Sequence, residues 1–100
     1  TTSDAIWTFV GDEATAYPTS RTTPVYYRIT PASAGNRVVT SYNTNCTIKV
    51  YSSSGQLLAT SAPATDGNGT AYVSVTWPAS ANTLYYLSLE GSMSMHFTVQ

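Results

Sequence analysis

The sequence predicts an all-β fold: a single antiparallel β-sandwich of about eight strands with jelly-roll-like connections. Three observations carry this. Apolar and polar residues alternate at period two in segment after segment, the pattern of a strand with one buried face. Clusters of Gly, Pro, Asn, Asp and Ser separate these segments at roughly the 8 to 12 residue spacing of a sandwich. No window of helical length carries a 3.6-residue apolar stripe with capping signals at both ends. At 100 residues, 42% of them apolar, one domain can bury roughly two thirds of its unfolded surface.

Each strand is read from its alternation. Residues 6–10 form a weak N-terminal candidate whose inward face cannot be assigned, so the orientation of Trp7 stays open. Residues 12–24 lack alternation and read as a surface connection, which divides the domain into an N-terminal strand and connection (1–24) and a core (25–100). Val25, Tyr27 and Ile29 oppose Tyr26 and Arg28. Residues 37–42 and 56–60 are further weak candidates. Cys46, Ile48 and Val50 oppose Thr47, Lys49 and Tyr51. Ala71, Val73, Val75 and Trp77 oppose Tyr72, Ser74 and Thr76. Tyr85, Leu87 and Leu89 oppose Tyr86, Ser88 and Glu90, and Met95, Phe97 and Val99 oppose His96 and Thr98. Ser52-Ser53-Ser54-Gly55 is a hairpin-length loop, and Asp66-Gly67-Asn68-Gly69 tolerates positive φ as a turn requires. Runs at 31–36 and 78–82, each opened by a proline, are expected to break one strand from the next.

Composition excludes several function classes. Four Lys/Arg against five Asp/Glu give a formal net charge of -1, which is no footprint for nucleic acid. No apolar run is long enough for a membrane span. In place of charge the chain carries 17 Thr, 13 Ser and 8 Tyr. Cys46 is the single cysteine, so no intrachain disulfide can form. The chain opens Thr1-Thr2-Ser3-Asp4 without an initiator Met, and it reads as a mature product or a module of a longer protein. Low charge with abundant hydroxyls suits a secreted, extracellular bacterial domain. Asn45-Cys46-Thr47 and Asn68-Gly69-Thr70 match the glycosylation acceptor pattern, which arises readily by chance in a Thr-rich chain.

No catalytic or metal site emerges. His96, the one histidine, is expected exposed in mid-strand, and no serine lies in a Gly-x-Ser-x-Gly elbow. Cys46 shares the face of Ile48 and Val50, so it reads as a small buried hydrophobe rather than a nucleophile paired with His96. Adjacent Asp12 and Glu13 point apart in an extended chain and do not make a facing carboxylate pair. Asp66-x-Asn68 resembles the start of a calcium loop, but Trp77 stands where the closing acidic ligand belongs, and an Asx turn accounts for it better. The expectation is a non-enzyme without cofactor or metal.

From Val25 onward the order of features resembles the bacterial pre-peptidase C-terminal (PPC) domain. The resembling residues are Val25-Tyr26-Tyr27-Arg28-Ile29 with Pro31-Ala32, the strand Asn36-Arg37-Val38-Val39-Thr40, and the strand, turn and return from Thr47 to Ser61. Asn82-Thr83-Leu84-Tyr85-Tyr86-Leu87-Ser88-Leu89-Glu90-Gly91 and a closing strand at 95–99 complete it. The resemblance covers about three quarters of the chain in short motifs, and implies a small non-catalytic β-sandwich appended to a secreted hydrolase. Where many members carry acidic residues that can support calcium, this chain has Asn43-Thr44-Asn45-Cys46-Thr47-Ile48. No metal site is therefore carried over.

Tyr26, Tyr51, Tyr72 and Tyr86 all project outward if the core faces are assigned correctly. Tyrosine rings on a sandwich face can stack on sugar rings while neighbouring polar groups bond the hydroxyls. They are the candidate ligand-binding residues, for a polysaccharide or another insoluble extracellular polymer, provided that they share one sheet. The alternative is a structural subunit of an extracellular filament or surface layer. In that case the apolar N-terminal strand would self-associate by strand donation, because strand edges with little charge are poorly defended.

Overall fold

The computed structural model describes residues 5–18, 23–91 and 94–100; residues 1–4 of the predicted N-terminal segment and 19–22 of the predicted connection lie outside them. Ten strands build two five-stranded sheets. They are β1 (Ile6–Trp7), β2 (Glu13–Ala16), β3 (Val25–Ile29), β4 (Gly35–Ser41), β5 (Thr47–Ser52), β6 (Leu57–Thr60), β7 (Ala62–Thr65), β8 (Ala71–Ala79), β9 (Tyr85–Glu90) and β10 (Met95–Val99). The first sheet has the order β1-β3-β9-β5-β6 and the second β2-β10-β4-β8-β7. All pairings are antiparallel except β1 with β3. No helix occurs among the described residues.

The alternation in the sequence is the alternation in space. Tyr27, Ile29, Ile48, Val50, Leu87 and Leu89 from the first sheet meet Val39, Val75, Trp77, Met95, Phe97 and Val99 from the second in one buried core. Each such side chain contributes about 1.5–3 kcal/mol on burial. Two edge-to-face aromatic contacts join the sheets: Tyr27 on Phe97, with centroids 4.9 Å apart, and Trp77 on Tyr85, 5.6 Å apart. The Tyr85 hydroxyl accepts a 2.7 Å bond from the Ser80 N–H, which gives its polar end a partner.

Polar side chains make the corners where the chain changes sheets. Ser61 lies between β6 in one sheet and β7 in the other, and there its N–H donates to the Ile48 carbonyl at 2.7 Å while its Oγ accepts from the Ile48 N–H at 3.0 Å. Asp12 Oδ2 accepts from the Phe9 N–H and the Thr8 hydroxyl, fixing the passage from β1 to β2. Beyond the end of the β4–β10 ladder, Ser41 Oγ donates to the His96 carbonyl at 2.6 Å, and Asn43 Oδ1 accepts from the His96 N–H at 2.7 Å.

Three sequence expectations need correction. The count is ten strands rather than about eight, because two edge strands were invisible. Glu13–Ala16 lies inside the stretch expected to be a connection, yet it pairs with β10 from Ala16↔Met95 to Glu13↔Thr98. After Glu13 its side chains are small, so it shows no apolar alternation. Ala62–Thr65 likewise has only small residues plus Pro63, which an edge strand tolerates. Pro78, expected to end a strand, lies inside β8 opposite Asn36. Beyond Ser74 no strand pairs with the other side of β8, so the missing proline N–H leaves no ladder bond unmade.

Candidate functional site

Three of the four candidate tyrosines come together and the fourth does not. Tyr26 on β3, Tyr86 on β9 and Tyr51 on β5 lie on adjacent strands of the first sheet and face away from the core. With Ser53, Ser54 and Gly55 of the β5–β6 hairpin they line an open concavity of about 310 Å³. A register irregularity between Val50 and Tyr51 marks a bulge at the mouth of that hairpin, the kind of feature that re-aims a side chain. Within the hairpin Ser52 Oγ accepts from the Gln56 N–H at 3.1 Å and bonds Ser54 Oγ at 2.9 Å.

Cross-strand register extends the site beyond the tyrosines. Trp7 is opposite Arg28, Arg28 opposite Tyr86, and Tyr86 opposite Tyr51. This is one continuous row over four strands, roughly 14 Å across at the usual interstrand spacing. Trp7 is 48% exposed, and the Arg28 guanidinium carbon lies 4.6 Å from its ring centroid. The second row reads Tyr26, Ser88, Lys49. Sequence reasoning missed Trp7 and Arg28 as members of this face. Arg28 shares the parity of Tyr26, so its outward direction was legible; that β1 would run parallel beside β3 and bring Trp7 over it was not.

Tyr72 lies on the opposite sheet, where its ring packs against that of Tyr42 at 5.3 Å between centroids, tilted by 41°. The Tyr42 hydroxyl donates to Asp66 Oδ2 at 3.0 Å. Asp66 Oδ1 accepts from the N–H groups of Asn68 and Thr70, the expected Asx turn. These bonds, Thr70's first, hold the Asp66 carboxyl below the ordinary carboxylate range, and the bond to Asp66 pushes the Tyr42 phenol up. Tyr42, Asp66 and Tyr72 line a second concavity of about 360 Å³ with Val38, Thr40 and Ser74 among its walls.

The reactive side chains are dispersed. Cys46 is buried, and desolvation pushes its thiol up to about 11. His96 Nε2 lies 3.2 Å from Glu13 Oε1, and its Nδ1 3.2 Å from Thr15 Oγ1. A hydroxyl, an imidazole and a carboxylate thus meet, but the His96 and Glu13 side chains are more than half exposed and none of the three lines either concavity. Acyl-transfer chemistry needs oxyanion donors in a water-excluded site, and this open strand surface supplies a cross-strand imidazole–carboxylate contact instead. Among the described residues no cluster of three His, Cys, Asp or Glu could hold a metal ion.

No protein-family model matches the chain, and no curated protein does. One solved structure superposes over almost its full length: the pre-peptidase C-terminal domain of a collagenase from Bacillus anthracis, with a TM-score of 0.68. The two are 17% identical, over 97% of this chain and 95% of that one. A likeness at that identity speaks for the fold. Together with the strand order and motifs described above, it establishes that the chain has the β-sandwich fold of a PPC domain.

Proposed function

We propose that this chain is a non-catalytic accessory domain of a secreted hydrolase, and that it holds an insoluble extracellular polymer against the outer face of its first sheet. The observation that carries the reading is the convergence of Tyr26, Tyr86 and Tyr51 from three adjacent strands on one open concavity. Open aromatic faces beside serine hydroxyls suit a polysaccharide, whose rings present C–H faces to stack and hydroxyls to bond. The collagenase domain that shares the fold belongs to an enzyme acting on another insoluble polymer, so collagen fibrils belong in the test beside glycans.

The test is co-sedimentation of the purified chain with insoluble polysaccharides and collagen fibrils. Tyr26→Ala, Tyr51→Ala and Tyr86→Ala are each expected to weaken retention by about 2- to 10-fold, from aromatic contacts worth about 0.5–1.5 kcal/mol. Tyr72→Ala, on the opposite face, leaves retention unchanged. No retention on any polymer, or equal loss from Tyr72→Ala, rejects this face.

A second reading, a filament subunit joined by strand donation, draws on the N-terminal segment. Strand β1 makes two register pairs with β3, and Ile6, Trp7, Phe9 and Val10 are all exposed apolar residues beside it. Electron microscopy of the purified chain decides it: ordered fibres support donation, and a monodisperse monomer rejects it.

A further inference from the structure

Resting on the polymer-face reading, we propose that the face selects a carboxylate-bearing polysaccharide, a polyuronate, and that Arg28 is the residue that grips the carboxylate. Arg28 lies mid-row between Trp7 and Tyr86. Its guanidinium rests on the Trp7 ring. Stacking engages the π-face of the guanidinium and leaves its in-plane N–H fork free, and that fork matches a carboxylate bidentately.

The fork has no partner among the described residues. The Arg28 carbonyl accepts from the Thr8 N–H at 3.0 Å, but the Arg28 side chain makes no hydrogen bond or ion pair among the described residues, and its Nε is buried without an acceptor. Arg37 also has a buried Nε without an acceptor, but it differs at the tip: its Nη2 donates to both the carbonyl and the hydroxyl of Ser33. A permanently charged group held in place by an aromatic ring, with its terminal Nη donors unpaired by any described residue, is a site that suits an anion.

Charge on the two faces supports the same ligand. Arg28 and Lys49 are outward residues of the first sheet, with Glu90 at the far end of β9. Glu13 and Asp66 lie on the second sheet or its turn. A chain with a net charge of -1 therefore places two of its four cations on the aromatic face. Arg28 and Lys49 are separated by two strand steps and two residues along the strand, roughly 12 Å. That span lets the two cations meet carboxylates on different sugars of one polymer, with Tyr86 on the strand between them to stack a ring.

Affinity electrophoresis of the chain in gels containing polygalacturonate, its fully methyl-esterified form or neutral glucan tests the proposal. Esterification removes the charge and keeps the sugar backbone. Polygalacturonate is expected to retard the protein about 10- to 100-fold more strongly than the ester, the range for a charge-assisted hydrogen-bonded contact. The preference is lost in Arg28→Gln, partly kept in Arg28→Lys, and eroded by raising salt. Lys49→Gln, which leaves the Trp7 stack intact, reduces it independently, so a folding defect in the Arg28 variants cannot mimic the result. Equal retardation by acid and ester overturns the carboxylate proposal while leaving the polymer face standing. Retardation by none of the three overturns both, and polyglutamate binding as tightly as polygalacturonate overturns the sugar assignment.

Discussion

Gly91, just after β9, is where a single methyl group should cost most. A Cβ built there would lie 2.8 Å from Met95 Sδ and 3.1 Å from the Asn45 carbonyl oxygen, with Cys46 Cα at 3.6 Å. The φ of Gly91 is not in the left-handed region, so the perturbation is steric and not conformational. Two effects compete. Replacing glycine at a compatible φ stabilises by about 0.4–1 kcal/mol through the unfolded chain. Overpacking a well-filled core costs about 1–3 kcal/mol. Overpacking wins here, because Met95 is fully buried and the second neighbour is backbone that cannot swing aside. Gly91→Ala is expected to lose about 1–2 kcal/mol net, which lowers Tm by about 4–16 °C in a domain of this size. A double-mutant cycle identifies the cause. Met95→Ala alone opens a cavity worth about 2–5 kcal/mol; with Gly91→Ala the new methyl enters part of that space, so the losses fall short of additive by about 1 kcal/mol or more. Thermal unfolding of the four proteins measures this. A Gly91→Ala chain melting at or above the parent, or strictly additive losses, refutes the reasoning.

Two titrating groups give further tests. The Cys46 thiol, at about 11 in the folded chain, is a thiolate in roughly one molecule in a thousand at pH 8. A thiol reagent should therefore label it only as fast as the chain unfolds, and labelling at the rate of a free thiol in native buffer would contradict its burial. Its raised value adds stability that is fully present below the unfolded thiol value and is lost as pH climbs towards 11, so Cys46→Ala should flatten the alkaline limb of the Tm–pH curve. Asp66 has the opposite sign: its carboxyl is held below the ordinary range, so its stabilisation is present above that range and fades as pH falls through the folded value. Asp66→Asn keeps an acceptor for the turn but removes the charge. The Tm gap between parent and variant should shrink steadily on acidification, and a gap independent of pH would show that charge plays no part.

Residue parity made half of this molecule legible. Period two told inside from outside for Val73, Val75, Trp77, Leu87, Leu89 and Phe97, because burying one face of a strand forces that pattern; it failed at Ala71, read as inward but exposed at the strand's end, and at Ser88, read as outward but buried. It was silent where strands carry small residues. Glu13–Ala16 and Ala62–Thr65 are edge strands held by backbone pairing, and nothing in their side chains announces it. Parity also cannot say to which sheet an outward residue belongs. Tyr51 and Tyr72 look alike in sequence; they end on opposite faces because the chain crosses between sheets at Ser61, whose two bonds to Ile48 become visible only in three dimensions. Trp7 was undecidable for a related reason. Its place above Arg28 depends on a parallel pairing between segments far apart in sequence.

The two functional readings meet on the same sheet. Its edges are β1 and β6, and the exposed apolar residues Ile6, Trp7, Leu57 and Leu58 lie on them. Neither edge carries a charged residue of the kind that usually discourages pairing with another chain. The aromatic row runs from one edge to the other: Trp7 belongs to β1, and Tyr51 is opposite Leu57 of β6. A strand added at either edge would lie beside that row and lengthen it. A polymer lying across the row would instead cover both ends and compete with strand addition. If both proposed uses hold, a polymer across the row would crowd the edges where a strand would add, and a soluble ligand for the tyrosine face should suppress any fibre that the purified chain forms.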